Sequence, residues 1–558
     1  MIVLGITGFN ENCRYDSSAA ILKDGVVVAA FEQEKLSRRL HAKGELPIDA
    51  IEYCLKKTDI NLQKIDAIAI GWKEDCDCKK LTGNDAKKFL INFLPESFTK
   101  DIEFFPPIYF VKHNIANIAS AFFQSGFEEA ACLTIDGLDE TTSITLAKTN
   151  KKKDIKIIKT FPIASSLKIF LESACAYCGL NYEVSKTEFM DLANFGNSNQ
   201  HMPLSFMLKS GNFKNDIKEI NNSLNAKKIQ EFYINYFIKN NYPYQKNSDI
   251  KQLICYSNFA KSIQNSLEDI IFNLIKFLKK KSKLKNLVIS DEVLADLTNN
   301  SNYMQSKIFE NIFINPISNN TSSSIGAALY VMHNHNCFKN NLPNRVKNFC
   351  YGITYSSDII NIIMNNPYYN ITHFTVRKKQ AKRIAELLLN NKIVVCYDNN
   401  TEFGLSSIGH RNILANPNKR EMLYKMNMLK NRNIWRPLSC LVLDKYCSEV
   451  FLDFNIEQLE FIPKVAKIKE KWLNKIPAIV YNDYKTKVQL LKQSQNPLLY
   501  NIMEEFYILT GIPVLINLPL NLEGQPVIET PRDVLNFFEQ NEKIDYLVID
   551  EKIISLNK

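Results

Sequence analysis

Two stretches of this chain share one pattern, and that pattern limits the fold more than any other feature. The first reads IVLGITG (2–8), a polar turn, then SAAILKDGVVVAAFEQE (18–34): a strand, a loop, and two strands joined at Asp24-Gly25. An Asp-Gly pair between apolar runs signals a hairpin, because tight two-residue turns need positive φ. Residues 130–148, AACLTIDGLDETTSITLAK, repeat the scheme of strand, acidic turn and strand. Two copies of one unit imply a duplicated α/β architecture.

At 558 residues, 46% of them apolar, the chain exceeds what a single core organises and divides into two or three domains. Helical periodicity in a Lys-, Asn- and Ile-rich stretch marks a helical insertion over about 204–285. KNLVIS (285–290) reads as a buried strand, and SSSIGAALYVMH (322–333) as a helix entered through serine caps. The expected boundaries are a first domain over 1–350, a connecting region over 351–372 and a second α/β domain over 373–558. In that second domain KKQAKRIAELLLNN is a helix and KIVVCYDNN a strand. A long loop-rich stretch runs from there to PAIVYND, and GIPVLINLPLN and IDYLVID are strands.

Composition narrows the function classes. The 69 Lys and Arg against 59 Asp and Glu leave a formal +10, concentrated in runs such as KTNKKKDIK (148–156) and FLKKKSKLK (277–285). Neither run carries interleaved aromatics, so both read as solvated faces rather than nucleic-acid sites, while a basic surface suits anionic small molecules. No stretch approaches the ~20 apolar residues of a membrane span, and MIVLGITGF lacks the basic region of a signal peptide. Thirteen scattered cysteines fit a reducing compartment, and the expected location is the cytoplasm. The pairs Cys76/Cys78 and Cys175/Cys178 lie too far apart in sequence for tidy zinc spacing and read as buried or incidental thiols. HNIAN (113–117) spaces His113 and Asn117 one helical turn apart, but an amide is a weak transition-metal ligand, so the residues alone favour a structural histidine.

Taken in order, ITGFNENCRYDSSAAI, FEQEKLSRRLHAKGELP (31–47), KHNIANIASAFFQSGFEEAACLTIDG (112–137), NTEFGLSSIGHRNILANP (400–417), LKNRNIWRP (429–437) and GIPVLINLPLNLEGQPVIETPRD (511–533) resemble the carbamoyltransferase family of antibiotic and nodulation-factor biosynthesis, nearly end to end. The resemblance implies an actin-like (ASKHA) duplicated domain, related to the tRNA threonylcarbamoyl transferases, followed by a YrdC-like α/β domain resembling the threonylcarbamoyl-adenylate synthases. It further implies that ATP and carbamoyl phosphate form carbamoyl adenylate in the second domain. The carbamoyl group then passes inside the protein to a hydroxyl or amine of a small metabolite in the first.

Carried over by position, the implied metal ligands are His113, Asn117, Asp136 and Asn320, so two of four are amides. Neutral carbonyl oxygens do not balance a divalent cation, and the iron or magnesium of the family is expected to be weak or lost here. The implied catalytic set is Tyr15, Asp16 and His41, with Tyr15 where the family has histidine and Leu40 where it has lysine. A phenol with a pKa near ~10 is a poor base at neutral pH. Asp291-Glu292 stands in place of a Gly-Gly turn that approaches nucleotide; a carboxylate ~4 Å from a phosphate is repelled by about 4 kcal/mol at an effective dielectric of 20. The second domain keeps Glu402, Arg411, Lys430, Arg432, Arg436, Asn517 and Asn521, with Lys487 for an arginine. Asn400 and Ser406 stand where arginines are expected. These residues place ATP and carbamoyl phosphate in the second domain. Two other readings stay open: a non-catalytic homologue joined to an active family member in a homo- or hetero-oligomer, and an ATP-dependent ligation or condensation enzyme on the same scaffold.

Overall fold

The computed structural model describes residues 1–8, 16–72, 80–100, 102–135, 142–240, 254–291, 306–317, 320–335, 345–355, 367–398, 400–404, 409–452, 461, 463–481 and 484–557. Tyr15, Asp136, Glu292, Asn319 and Ser406 lie outside that set. The chain forms two compact units, Met1–Ala30 with Gly44–Val346, and Phe31–Lys43 with Lys347–Lys558.

The first unit carries two sheets of one design. The first holds β1 (Ile2–Thr7), β2 (Ser18–Lys23), β3 (Val26–Glu32), β4 (Ala67–Trp72), β5 (Lys80–Leu81) and β6 (Ile108–Lys112), in the order β3-β2-β1-β4-β6-β5. The second holds β7 (Glu129–Ile135), β8 (Ile144–Asn150), β9 (Lys153–Phe161), then, past the hairpin β10 (Leu204–Met207) and β11 (Asn212–Asn215), β12 (Asn286–Asp291) and β13 (Asn311–Ile314). Its order is β13-β12-β7-β8-β9. In each sheet the leading strand pairs antiparallel with the next one and parallel with a later strand. The duplication is therefore an actin-like α/β topology, and β1 is buried along most of its length, as a strand covered on both faces should be.

Each half contributes one helix to the centre of the unit: His113–Ser125 directly after β6, and Ser322–Asn334 shortly after β13. The helices cross the halves, His113–Ser125 packing on β7 and β12 and Ser322–Asn334 on β1, β2 and β4. Their approach needs missing side chains. A Cβ on Gly326 would lie 1.8 Å from the Ala116 carbonyl oxygen, and one on Gly5 would lie 1.9 Å from that of Ser324. The serines expected to cap the second helix sit inside it instead. Thr321 occupies the cap position, while Ser323 and Ser324 bond back to the carbonyls of Asn320 and Thr321.

The expected helical insertion differs at its start, where β10 and β11 form a hairpin before the helices Ala226–Lys239 and Ser257–Ser282. Tertiary packing explains the difference. Phe161, Phe206, Phe213 and Phe277 meet edge to face around the hairpin, and Gly211 in its turn adopts φ 68° against the Phe277 ring. Cys175 and Cys178 are buried on and beside the helix Leu167–Tyr177.

The second unit is built on one mixed sheet of β14 (Tyr369–His373), β15 (Val394–Tyr397), β16 (Arg411–Ala415), β17 (Ser439–Leu443), β18 (Phe451–Leu452), β19 (Lys464–Ile468), β20 (Lys485–Leu491), β21 (Val514–Pro519), β22 (Tyr546–Ile549) and β23 (Lys552–Leu556). The order is β14-β23-β22-β15-β16-β21-β17-β20-β19-β18. Among its described residues the stretch expected to be loop-rich thus contains four strands and the helix Glu421–Leu429. Polar residues at inward positions, such as Asn412 on β16, hide the alternation that would have announced them.

The short segment Phe31–Lys43 belongs with the second unit, although the sequence places it early in the chain. Its anchor is electrostatic. Glu32 and Lys35, 1% and 2% exposed, pair at 3.0 Å; Lys35 Nζ donates to the Glu402 carbonyl at 2.5 Å, and Glu32 accepts from the Gly404 amide. Burial raises the Glu32 carboxyl to about 7, against the pull of Lys35. Arg38 Nη1 adds a bond to the Val527 carbonyl at 2.8 Å.

Candidate functional site

In the first unit the duplication brings the N-termini of the two central helices together, and four of the sequence-singled residues meet there. His113 opens one helix and Asn117 follows a turn later; Asn320 and Ser322 stand at the entrance of the other. His113 Nε2 lies 3.0 Å from Asn320 Oδ1 and 3.1 Å from the Asn117 amide. Asn320 Nδ2 donates to Asp16 Oδ2 at 3.0 Å, and Ser322 Oγ lies 3.2 Å from Asn117 Oδ1. All five residues are buried.

One ring nitrogen cannot accept from one amide and donate to another at once, so the assignments must be reconciled. Asn320 decides them. Its nitrogen faces a carboxylate, which accepts only, so its oxygen faces the ring and Nε2 carries the hydrogen. Asn117 then turns its oxygen to the ring and its nitrogen to Ser322 Oγ, which satisfies every contact. Among the described residues, the donor set at these positions is one protonated ring nitrogen, two amides and a committed carboxylate. A divalent transition metal needs a lone pair from imidazole and charge from carboxylates, so the described residues at 113, 117 and 320 do not by themselves fit the metal that the resemblance implies.

Asp16 itself has φ 54°, a left-handed conformation uncommon outside glycine, and is held on both sides. Ser17 Oγ donates to the Glu45 carbonyl at 2.6 Å, and Ser18 Oγ reaches Thr321 O and Ser324 Oγ at 3.0 and 2.9 Å. His41, in the second unit, also has positive φ, and its backbone amide donates to Glu34 Oε2 at 2.6 Å.

In the second unit the cations cluster on the chain that leaves the helix Glu421–Leu429. Lys430 caps that helix and is buried; its Nζ donates to the carbonyls of Pro519 and Asn521 at 2.7 and 2.5 Å and to the Asn521 side chain. Burial, and then the neighbouring charge of Arg432, hold the ammonium well below the usual lysine pKa, with Arg436 adding to the effect. Arg432 Nε donates to Asn427 Oδ1 at 2.5 Å, and Arg436 Nη1 pairs with Glu523 Oε1 at 2.5 Å. Behind them a chain of amides crosses the sheet: Gly409 N donates to Asn412, Asn412 to Asn517, and Asn517 to Gln489. Lys487, partly exposed on β20, stands opposite Ser439, whose hydroxyl donates to the Asn517 carbonyl at 2.6 Å.

Glu402 and Arg411 form a separate group. Glu402 Oε1 accepts from His410 Nδ1 at 2.9 Å and from the His410 amide at 3.2 Å, with Cys350 Sγ 3.6 Å from the same ring nitrogen. Burial works against the charged ring, yet the Glu402 carboxylate and the hydrogen bonds of Cys350 and Glu402 push His410 up to about 10. Arg411 is fully enclosed, stacked 3.7 Å from the Tyr397 ring centroid and bonded through Nη1 to the carbonyls of Asp398 and His410. Tyr397 in turn donates to the Glu529 carbonyl at 2.6 Å, and Thr401 donates to the Glu529 carboxylate.

Sequence reasoning missed His410, Glu523 and Glu529. His410 adjoins a singled-out arginine and was within reach; Glu523 and Glu529 are acids in a turn-rich stretch, and only the fold reveals which cation or hydroxyl each one meets.

The family model for the carbamoyltransferase N-terminus matches residues 4–103 and 78–329, and that for the carbamoyltransferase C-terminus matches 385–556. The nodulation protein NolNO of Sinorhizobium fredii (strain NBRC 101917 / NGR234) is 25% identical over 586 residues, covering 99% of this chain and 82% of that protein. The uncharacterized protein sll1178 of Synechocystis sp. (strain ATCC 27184 / PCC 6803 / Kazusa) is 25% identical over 611 residues, covering 99% and 96%. Among solved structures, full-length HypF in its phosphate- and nucleotide-bound form overlaps 59% of this chain and 46% of its own at 12% identity, with a TM-score of 0.35, too small an overlap to bear on function.

Proposed function

This chain belongs to the carbamoyltransferase family, and from that premise we propose that it transfers a carbamoyl group to a hydroxyl or amine of a small metabolite by way of carbamoyl adenylate. Water hydrolyses carbamoyl phosphate to inorganic phosphate and carbamate, whose oxygen attacks the α-phosphorus of ATP; pyrophosphate leaves, and carbamoyl adenylate remains. The acceptor then attacks the carbamoyl carbon and AMP departs. The observation that carries the reading is the cluster of Lys430, Arg432 and Arg436 at the 519–521 turn, in which burial and then the neighbouring guanidinium charges lower the Lys430 pKa. Such crowding of positive charge is relieved by a polyanion, and planar guanidinium groups grip phosphate oxygens in pairs.

No helix among the described residues is long and apolar enough to cross a membrane. Small-molecule substrates, including carbamoyl phosphate, suit the family. Exchange of labelled pyrophosphate into ATP tests the proposal: exchange that depends on carbamoyl phosphate and falls in Arg436→Ala supports it. A second reading has its own observation, since Lys430 and Arg436 are already engaged by the 519–521 turn and Glu523. Under that reading the chain is a non-catalytic member that binds an active family partner, and wild-type protein shows neither exchange nor ATP binding.

A further inference from the structure

We propose that Asn320 performs the structural task a cation would otherwise perform beside His113: it holds the Asp16 carboxylate, and the donors it meets at His113 and Asn117 do not suit a divalent metal. The inference stands apart from the reaction proposed above, because it rests only on the first unit's hydrogen bonds.

Asp16 Oδ2 lies 3.0 Å from Asn320 Nδ2, at the meeting point of the duplicated halves. With a carboxylate at 320, two like charges would face each other at that distance inside the protein, and the pair would require a bound cation or a proton to persist. The amide removes the conflict by turning a repulsive oxygen pair into a donated hydrogen bond. The other end of Asn320 is fixed as well, because its oxygen accepts from His113 Nε2. That bond keeps the hydrogen on the ring nitrogen a metal would need, and Asn117 with Ser322 completes the enclosure. A metal would have to strip that hydrogen and break several buried bonds, with no added charge at 117 or 320 in return. Asp16 is the residue that benefits. It sits at φ 54° and stays there because Asn320, Ser17 and Ser18 together determine its place.

The test uses the full chain as wild type, Asn320→Asp and the double variant Asn117→His/Asn320→Asp. Each is dialysed against chelator and then scanned for thermal unfolding with and without iron(II), zinc or magnesium, with elemental analysis of the recovered protein. Wild type should show the same midpoint in chelator and in metal and hold no stoichiometric ion. Asn320→Asp should unfold earlier in chelator and regain its midpoint with a divalent ion, and the double variant should retain about one equivalent. An Asn320→Asp protein as stable as wild type and indifferent to metal would overturn the proposal. So would a saturable midpoint shift or stoichiometric metal in wild type, and that measurement decides alone should the variants fail to fold.

Discussion

The two units of this protein bury polar groups in opposite ways. In the first, two of the four positions to which the resemblance assigns a metal hold amides, and the described residues there satisfy one another: imidazole to amide, amide to carboxylate, amide to hydroxyl. In the second, the charges remain and are matched with internal partners, Lys430 by the 519–521 turn, Arg436 by Glu523, His410 by Glu402 and Arg411 by the Tyr397 ring. A neutral network holds its geometry through complementarity of donors and acceptors. A charged one is poised to exchange partners, because each buried ion still carries its Coulombic field and an incoming anion competes for it.

The comparison breaks most readily at Arg411. Removing it as Arg411→Ala takes away one of the cations that offset the cost of the Asp550 carboxylate, which is raised first by burial and then by Asp398. The expected loss is about 3–5 kcal/mol, the range for stripping one partner from a buried charged cluster. Urea unfolding measures it, and a midpoint equal to wild type would mean the charge is not part of what holds the second unit.

A second effect should follow pH. His410 titrates near 10 when folded and near its ordinary 6.5 when unfolded. The folded state therefore binds the proton more tightly. The stability contributed is full below about 6.5 and is lost as pH rises toward 10, at no more than about 1.4 kcal/mol per pH unit. Thermal midpoints across this window should decline in wild type and flatten in His410→Gln; parallel curves would assign the decline to other groups.

On the ligand side, Arg436→Ala should weaken ATP binding by about 1.5–3 kcal/mol in calorimetric titration, the range for hydrogen bonds to charged groups. Equal affinity in the variant would place any nucleotide elsewhere. Gly326→Ala sharpens the other half of the comparison, since a methyl group 1.8 Å from the Ala116 carbonyl must push the central helices apart. We expect about 1–3 kcal/mol of destabilisation from this overpacking, with no change in ATP affinity if the two units keep their separate roles.

The sequence by itself determined the local grammar. The Asp24-Gly25 hairpin, the β7–β8 repeat, the KNLVIS strand and the family resemblance all follow from residues close together in the chain, because turn chemistry and alternation act over a few residues. The amides at 117 and 320 could also be read from the sequence, as positions where the resemblance implies metal ligands. What the tertiary structure alone decided is how each polar group found its partner. Nothing near Asn320 in sequence announces Asp16, 304 positions away, and nothing near Arg436 announces Glu523. The transfer of Phe31–Lys43 to the second unit likewise depends on a buried lysine reaching the carbonyl of Glu402, 367 residues further on. Burial makes an unmatched polar group costly wherever its partner lies along the chain, so the pairing is selected by distance in space, which the order of residues does not record.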